Sequence, residues 1–496
     1  PDLFSPPLLS HMSWNTTVVG REPPGGYNWF GPLGPANIGD SKMSARVNGE
    51  RVYYNFGGGM PPVTLTPQPA PIPDGVPEPR LITDTTLRDG AQDSRFALFP
   101  NEARVRYVDL LHRLDNGTGR IYAIETFIYQ RRDLWVLDRL LERGYEYPKI
   151  TTWIRANPKD VKELYEASQG RVKETGMLAS SSDHHIFDKL GYHSKAEAIE
   201  KYLKPILTAC QYSITPRVHL EDTTRADIHG WVIPFMQRVL KETEGRAKFR
   251  VCDTIGWGVP DPYAAAPQGI PHLISILFRE TGAELEFHGH NDFGLATANS
   301  LAAWRYGCRK VNVTFGGLGE RTGNTPLEQV VAGYIRLYGD PGFDLAVLPE
   351  MRHLVEENLT PLPRTAPIIG DVFSTQAGIH QAGVMRQEDA PGGLIYLAYD
   401  PAQVGRSQVE RNLIGGMSGS EGIVAILNAE AQRRGLDARF STMSRVVKEV
   451  YDRVQAAYDG EYDESQGRWV NFRTTFFSPE EIWQMAAEAL QTKGGV

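Results

Sequence analysis

Arg80-Leu81-Ile82-Thr83-Asp84, a helical stretch, then Ile121-Tyr122-Ala123-Ile124-Glu125: this opening sets the pattern for the next two hundred residues. In the stretch between the two runs, Asn101 is expected to cap a helix that carries Val105, Val108, Leu111 and Leu114 on one face. The helix after the second run carries Leu134, Leu137 and Leu141 and stops at Gly144. Outward from there, short apolar runs recur at 149–154, 177–180, 217–220, 249–252, 284–288 and 310–314, with a helical pattern after most of them. Repeated strand-then-helix units imply parallel strands. Eight units between residues 80 and 345 predict an α/β fold, a closed (β/α)8 TIM barrel, which takes ~250 residues. An open, doubly wound sheet would need a glycine-rich phosphate loop after an early strand, and no GxGxxG stands there.

The runs end in polar residues: Asp84 with Arg88-Asp89, Glu125, Arg155, Ser180-Ser181-Ser182, Glu221-Asp222, Asp253-Thr254, His288-Gly289-His290 and Gly316-Gly317. A barrel gathers all these ends on one face, where barrel enzymes do their chemistry.

The rest of the chain sets limits. Of 496 residues, 41% are hydrophobic and 23% charged, which excludes wholesale disorder. The net charge of −8 argues against nucleic acid as a partner. No apolar run approaches the ~18–20 residues of a membrane span. Three scattered cysteines fit a reducing, cytoplasmic setting and exclude a Cys-rich structural zinc site. Residues 1–80 hold 15 Pro and 11 Gly, so 1–79 is read as an irregular N-terminal arm, a free tail or a segment packed on a partner subunit. Within it, Asn48-Gly49 marks a hairpin and 61–79 an extended linker, while Ser10-His11-Met12 reads as a cloning junction. The expected division continues with the barrel over 80–345, a linker and subdomain completing the active site over 346–425, and a C-terminal helical subdomain over 426–496.

His288 and His290 are two apart, so on a strand both imidazoles face one way. Asp89, at the end of a neighbouring strand, adds a carboxylate. Two nitrogens and one oxygen with open positions suit Mn, Mg, Co, Fe or Zn. Such a cation can chelate a 2-oxo acid and polarise its carbonyl, and Arg88 can stabilise charge developing on that oxygen. The loop Gly319-Glu320-Arg321-Thr322-Gly323-Asn324 adds an acid–base candidate in Glu320 and a metal or water ligand in Asn324. The plainer reading of that loop is a tight barrel-closing turn with a solvated Glu-Arg pair.

Asp84-Thr85-Thr86-Leu87-Arg88-Asp89-Gly90-Ala91-Gln92 resembles the first signature of the metal-dependent acyltransferase and lyase barrels, the superfamily of 2-isopropylmalate and homocitrate synthases. His288-Gly289-His290-Asn291-Asp292 is similar to its second signature, and Gly319 to Asn324 resembles the synthase branch in particular. The segments around Val218 to Asp227 and Cys252 to Pro260 look most like the Re-citrate synthases. The resemblance implies acetyl-CoA as co-substrate and a divalent metal on Asp89, His288, His290 and Asn324. It implies catalytic roles for Arg88, Glu320, His380 and Tyr396, and substrate contacts from Gln92, His185, Glu221 and Thr254. It implies a homodimer in which His380 and Tyr396 complete the partner's barrel. An earlier His of the family's linker motif is Thr375 here, and the glycine usual after the strand-two Glu is Thr126. The expected reaction is a Claisen condensation, oxaloacetate to citrate first, with homocitrate, 2-isopropylmalate and phosphinomethylmalate-type synthases open. Acyl-CoA lyase or aldolase cleavage, and a non-enzymatic regulatory paralogue, are the other classes. For a dicarboxylic acceptor, Arg155 is the first candidate for the distal carboxylate, as a buried guanidinium left unpaired by an apolar acid, and Arg225 the second.

Overall fold

The structure, a computed structural model, describes residues 60–386, 394–406 and 413–491. The expected hairpin at Asn48-Gly49 lies outside the described residues.

All eight expected strands form: β1 (Leu81–Asp84), β2 (Ile121–Thr126), β3 (Lys149–Ile154), β4 (Glu174–Ser180), β5 (Thr215–Glu221), β6 (Lys248–Asp253), β7 (Leu285–Gly289) and β8 (Lys310–Val313). They close a parallel barrel in chain order, with β1 returning to β8 in the register Leu81 to Lys310 and Asp84 to Val313. Eight helices follow the strands: α1 (Asn101–Asp115), α2 (Arg131–Glu142), α3 (Pro158–Ala167), α4 (Lys195–Gln211), α5 (Ile233–Glu242), α6 (Ile270–Thr281), α7 (Ala296–Tyr306) and α8 (Leu327–Tyr338). Their apolar stripes and the outward strand residues make one continuous core, with Val108, Leu111, Ile154, Val218, Phe249 and Phe287 fully buried. This layer is the hydrophobic stabilisation of the fold.

Two local expectations are corrected. Asn101 is the first residue of α1, with Pro100 at the cap position, where its fixed φ of −59° suits entry to a helix. On α2, Val136, Leu137 and Leu140 are buried while Leu134 is exposed, so the inward stripe is rotated from the one expected.

Residues 64–71 run along the loop after β6. Ala265 N–H donates to the Thr64 carbonyl at 2.8 Å and Thr66 N–H to the Tyr263 carbonyl at 2.7 Å. The described end of the arm is thus packed on its own barrel.

Past the barrel come α9 (Leu348–Asn358), packed on α1, and α10 (Gly378–Met385). Then α11 (Ser420–Arg433), α12 (Arg445–Asp459), a small hairpin of β9 (Glu461–Asp463) and β10 (Arg468–Val470), and α13 (Pro479–Gln491) follow among the described residues. A second core joins Ile414, Ile423, Leu427, Val450, Phe477 and Ile482. The expected boundary at 425/426 falls inside α11. Both halves of that helix feed this core, so the C-terminal unit starts near residue 414.

Candidate active site

Inside the barrel, alternate strand residues point inward. They are charged. The Glu125 carboxylate accepts from Arg88 Nε at 2.7 Å, from Arg250 at 3.1 Å, from Thr85 Oγ1 at 3.0 Å and from Arg217. Glu286 accepts from Arg250 at 3.0 and 3.2 Å and from Thr83. Arg217 also donates to Glu174 at 2.5 Å. Burial raises the Glu125 carboxyl, but Arg250, Arg88 and Arg217 outweigh it and hold it well below the usual carboxylate range. Gly176 keeps the space open: a Cβ there would lie 2.5 Å from His219 Nε2 and 3.0 Å from Glu125 Oε1.

Above this lattice, at the C-terminal ends of the strands, Asp89, His288 and His290 converge with donor atoms within 4.8 Å of one another. Asp89 Oδ2 lies 3.9 Å from Nε2 of each histidine. Its other oxygen accepts from Arg88 at 2.6 Å. His288 Nδ1 sits 2.8 Å from Asn312 Oδ1. The Asn312 amide nitrogen is committed to Thr83 Oγ1 at 2.9 Å, so its oxygen faces the ring. That pairing puts the proton on Nδ1 and leaves the Nε2 lone pair towards Asp89. Burial lowers His288 to about 3 and lowers His290 as well, so both rings are neutral at neutral pH. Burial pushes the Asp89 carboxyl up, but Arg88 and the two histidines hold it below the usual range.

Buried polar atoms normally find partners. Here Asp89 Oδ2, His290 Nδ1 and Asn324 Oδ1 are buried without one. Neutral imidazoles, an ionised carboxylate and orphaned oxygens at one point fit a divalent cation with open positions.

The remaining sequence-expected residues divide. Asn324 is brought to the triad by a bridge to His290 and held by its amide to the Leu318 carbonyl at 2.9 Å. Glu320 and Gln92 are exposed on the loops of the same face. His185 Nδ1 lies 2.9 Å from Glu221, which also accepts from Lys189 at 2.6 Å and Ser180 at 2.5 Å. Burial raises Glu221, yet His185, Lys189 and Ser180 bring it to about 2. Thr254 Oγ1 accepts from Asp222 N–H at 2.8 Å. His380, on α10, stacks on Tyr396 with centroids 4.4 Å apart, in the segment beyond the barrel.

Arg155 is corrected: it is neither buried nor unpaired. Its side chain is 64% exposed and forks Asp160 at 2.9 and 3.2 Å. Arg225 is likewise committed, to Asp222 at 2.7 Å and over the Trp257 ring at 5.3 Å. In the glycine-rich loop, Arg321 pairs with Asp292 at 2.8 Å rather than with Glu320. Sequence reasoning missed Arg217, His219, Arg250, Glu286 and Asn312. The signal was present as Arg217-x-His219-x-Glu221, Glu286-x-His288 and Lys310-x-Asn312, polar residues continuing at period two down the strands.

Comparison with known proteins bears on this arrangement. Residues 80–355 match the HMGL-like family. The chain is 37% identical over 401 residues to a citrate (Re)-synthase of Clostridium kluyveri, covering 79% of this chain and 84% of that one. It is 36% identical to a 2-phosphinomethylmalate synthase of Streptomyces hygroscopicus, over 67% and 74%. Among solved structures, HMG-CoA lyase from Bacillus subtilis superposes with a TM-score of 0.46 at 19% identity, over 58% of this chain and 96% of that one. With a matched segment that runs from the first strand into α9, and a relative of this identity over most of both lengths, the chain belongs to the HMGL-like family.

Proposed function

We propose that this enzyme condenses acetyl-CoA with a 2-oxo acid, oxaloacetate giving citrate being the first choice. The observation that carries the reading is the open two-nitrogen, one-oxygen donor set beside Arg88, in a chain similar to a citrate (Re)-synthase. Asp89, His288 and His290 would hold a divalent cation, with Asn324 beside them. When bound, it supplies Lewis-acid polarisation of the acceptor carbonyl.

The chain's own residues do the rest. Glu320, the acid–base group of this reading, takes a methyl proton from acetyl-CoA. The enolate carbon attacks the 2-oxo carbonyl carbon, whose oxygen becomes a hydroxyl when a proton is returned. As the new C–C bond forms, the carbonyl electron pair moves to oxygen. Arg88, fixed by Glu125 and Asp89, presents a preorganised positive charge to it. Water then cleaves the thioester, releasing the CoA thiol and a hydroxy acid. His185, Glu221, Thr254 and Gln92 contact substrate in this reading, and Glu320 handles a proton. His380 and Tyr396 act across a homodimer. What supports that arrangement is their position beyond the barrel, among Ile379, Leu394, Ile395 and Met417, all exposed.

A second reading is favoured by the Arg155 geometry. Both expected carboxylate anchors already hold an aspartate, so neither guanidinium stands unpaired for a distal carboxylate. That favours a synthase of isopropylmalate type, whose acceptor carries no distal anion, as the alternative. Thiol release from acetyl-CoA with a panel of 2-oxo acids and added Mn decides between them. Fastest release with oxaloacetate supports citrate formation, and fastest release with 2-oxoisovalerate overturns it. No release with any acceptor moves the weight to a lyase or to a non-enzymatic regulator.

A further inference from the structure

The loop between β8 and α8 carries Glu320 and Asn324 yet has almost no regular structure. Gly316, Gly317, Gly319 and Gly323 all take positive φ. The backbone folds so tightly that a Cβ at Gly319 would lie 2.2 Å from Asn324 Nδ2, and one at Gly323 would lie 1.8 Å from the Gly317 carbonyl. A chain this rich in glycine loses much freedom when it orders, so something must hold it.

Two straps do so, one on each flank. On the β1 side, Gly319 N–H donates to Asp93 Oδ2 at 3.0 Å, and Asp93 is gripped by Arg95 at 2.9 and 2.6 Å. On the other side, Arg321 forks Asp292 at 2.8 and 3.0 Å and donates a third hydrogen bond to the Thr254 carbonyl at 2.7 Å. That one side chain ties the loops after β6, β7 and β8 together. Arg321 itself has φ of 57°, a left-handed backbone that a non-glycine residue keeps only when its surroundings impose it. Gly256 makes room for the knot: a Cβ there would lie 2.9 Å from Asp292 N. Asn291 N–H donates to the Gly323 carbonyl at 3.0 Å, so the strapped loop rests beside the histidine strand.

We propose that Arg321 is a positioning residue that, through Asp292 and the Thr254 carbonyl, holds Glu320 and Asn324 over the Asp89–His288–His290 donor set. The proposal rests on the reading of those residues given above. An ordinary exposed Arg–Asp pair would hold nothing in place. Three donors in a planar fork, spanning two other loops, need a guanidinium, and a lysine ammonium cannot reproduce them.

The test uses the whole protein without substrate. Hydrogen exchange at 317–324 is followed by mass spectrometry, and Co(II) affinity by its visible absorption. Arg321→Ala, Arg321→Lys and Asp292→Asn should each speed exchange in that segment and weaken Co(II) binding by about tenfold, the scale of supporting contacts around a metal. The double variant Arg321→Ala/Asp292→Asn should be no worse than Arg321→Ala alone, because both changes cut one strap. With substrate, kcat should fall more than KM rises. If Arg321→Ala fails to fold, Asp292→Asn, which keeps the volume, decides alone. Unchanged exchange together with Co(II) affinity within about twofold overturns the proposal. A loosened loop in a protein that releases no thiol with any acceptor keeps the strap and overturns the condensation reading instead.

Discussion

The two ends of this barrel are built from the same kinds of side chain and treat them in opposite ways. At the N-terminal end, Lys310 Nζ lies 2.5 Å from Glu284 and Lys248 Nζ 2.6 Å from Glu174, while Lys310, Lys149 and Lys248 stand 4.5, 5.0 and 5.9 Å from the centroid of the Tyr122 ring. Salt bridges and cation–π contacts answer the charge there. At the C-terminal end, Asp89 Oδ2, His290 Nδ1, Asn324 Oδ1 and Ser181 Oγ are buried without partners. The carboxyls diverge as well. Glu174 is drawn to about 2, because Arg217 and two lysines outweigh its burial. Burial raises Asp84, Asp253 and Glu328, on the catalytic side, to about 7. A charge that is answered stabilises the fold. Unanswered polar atoms gathered around one set of metal-type donors mark where a ligand belongs.

Four experiments would break or sharpen that contrast. The largest effect is expected at the open end: chelation, or His288→Ala, should cut thiol release by about 10³-fold or more. A metal-free His288→Ala protein with full activity would end the metal reading. Between the ends, Arg250→Met leaves Glu125 and Glu286 short of a buried cation, and urea unfolding should show a loss of about 3–5 kcal/mol. The third concerns pH. Glu328 has its folded pKa raised, so its contribution to stability is lost as pH climbs from its unfolded value near 4.5 through about 7. Glu328→Gln should therefore gain about 2 kcal/mol over the parent between pH 5 and pH 8. Glu174 is lowered and has the reverse sign: its contribution is present above pH 4.5 and is lost as pH falls towards 2. Parallel pH profiles for parent and Glu328→Gln would refute the assignment. The smallest effect is expected at the closed end. Lys310→Met should cost about 1 kcal/mol in unfolding, since Glu284 keeps Lys248 and Arg309, with kcat/KM unchanged.

The barrel was legible because its signal is repeated. Eight apolar runs at helix-spaced intervals survive errors of one or two residues, and 149–154 coincides with the observed β3. The donor set was legible because His288 and His290 announce their shared face two residues apart, and Asp89 begins the loop of a strand known to be near. Arg155 was misread for a physical reason. Residue type and place at a strand end say nothing of which carboxylate is nearer, and Asp160, within the first turn of α3, captures the guanidinium. The ionic lattice was hidden for another reason. Single charged residues among apolar ones look like breaks in a strand until the partner strands are in register, and only then do Arg217 and Arg250 meet Glu125 and Glu286.

That lattice has a consequence for how the barrel is assembled. Along β5, Arg217, His219 and Glu221 alternate with Val218 and Leu220. A slip of one residue would turn every side chain to the opposite surface. The guanidinium of Arg217 would land among the packed helices and the isobutyl group of Leu220 among the carboxylates. An oily interior would tolerate such an error, because one aliphatic chain replaces another at small cost. Here each wrong alignment strands ions away from both water and counter-ions. The charges at the centre thus act as a proofreading device for strand alignment, rejecting near-miss barrels before the catalytic face is complete.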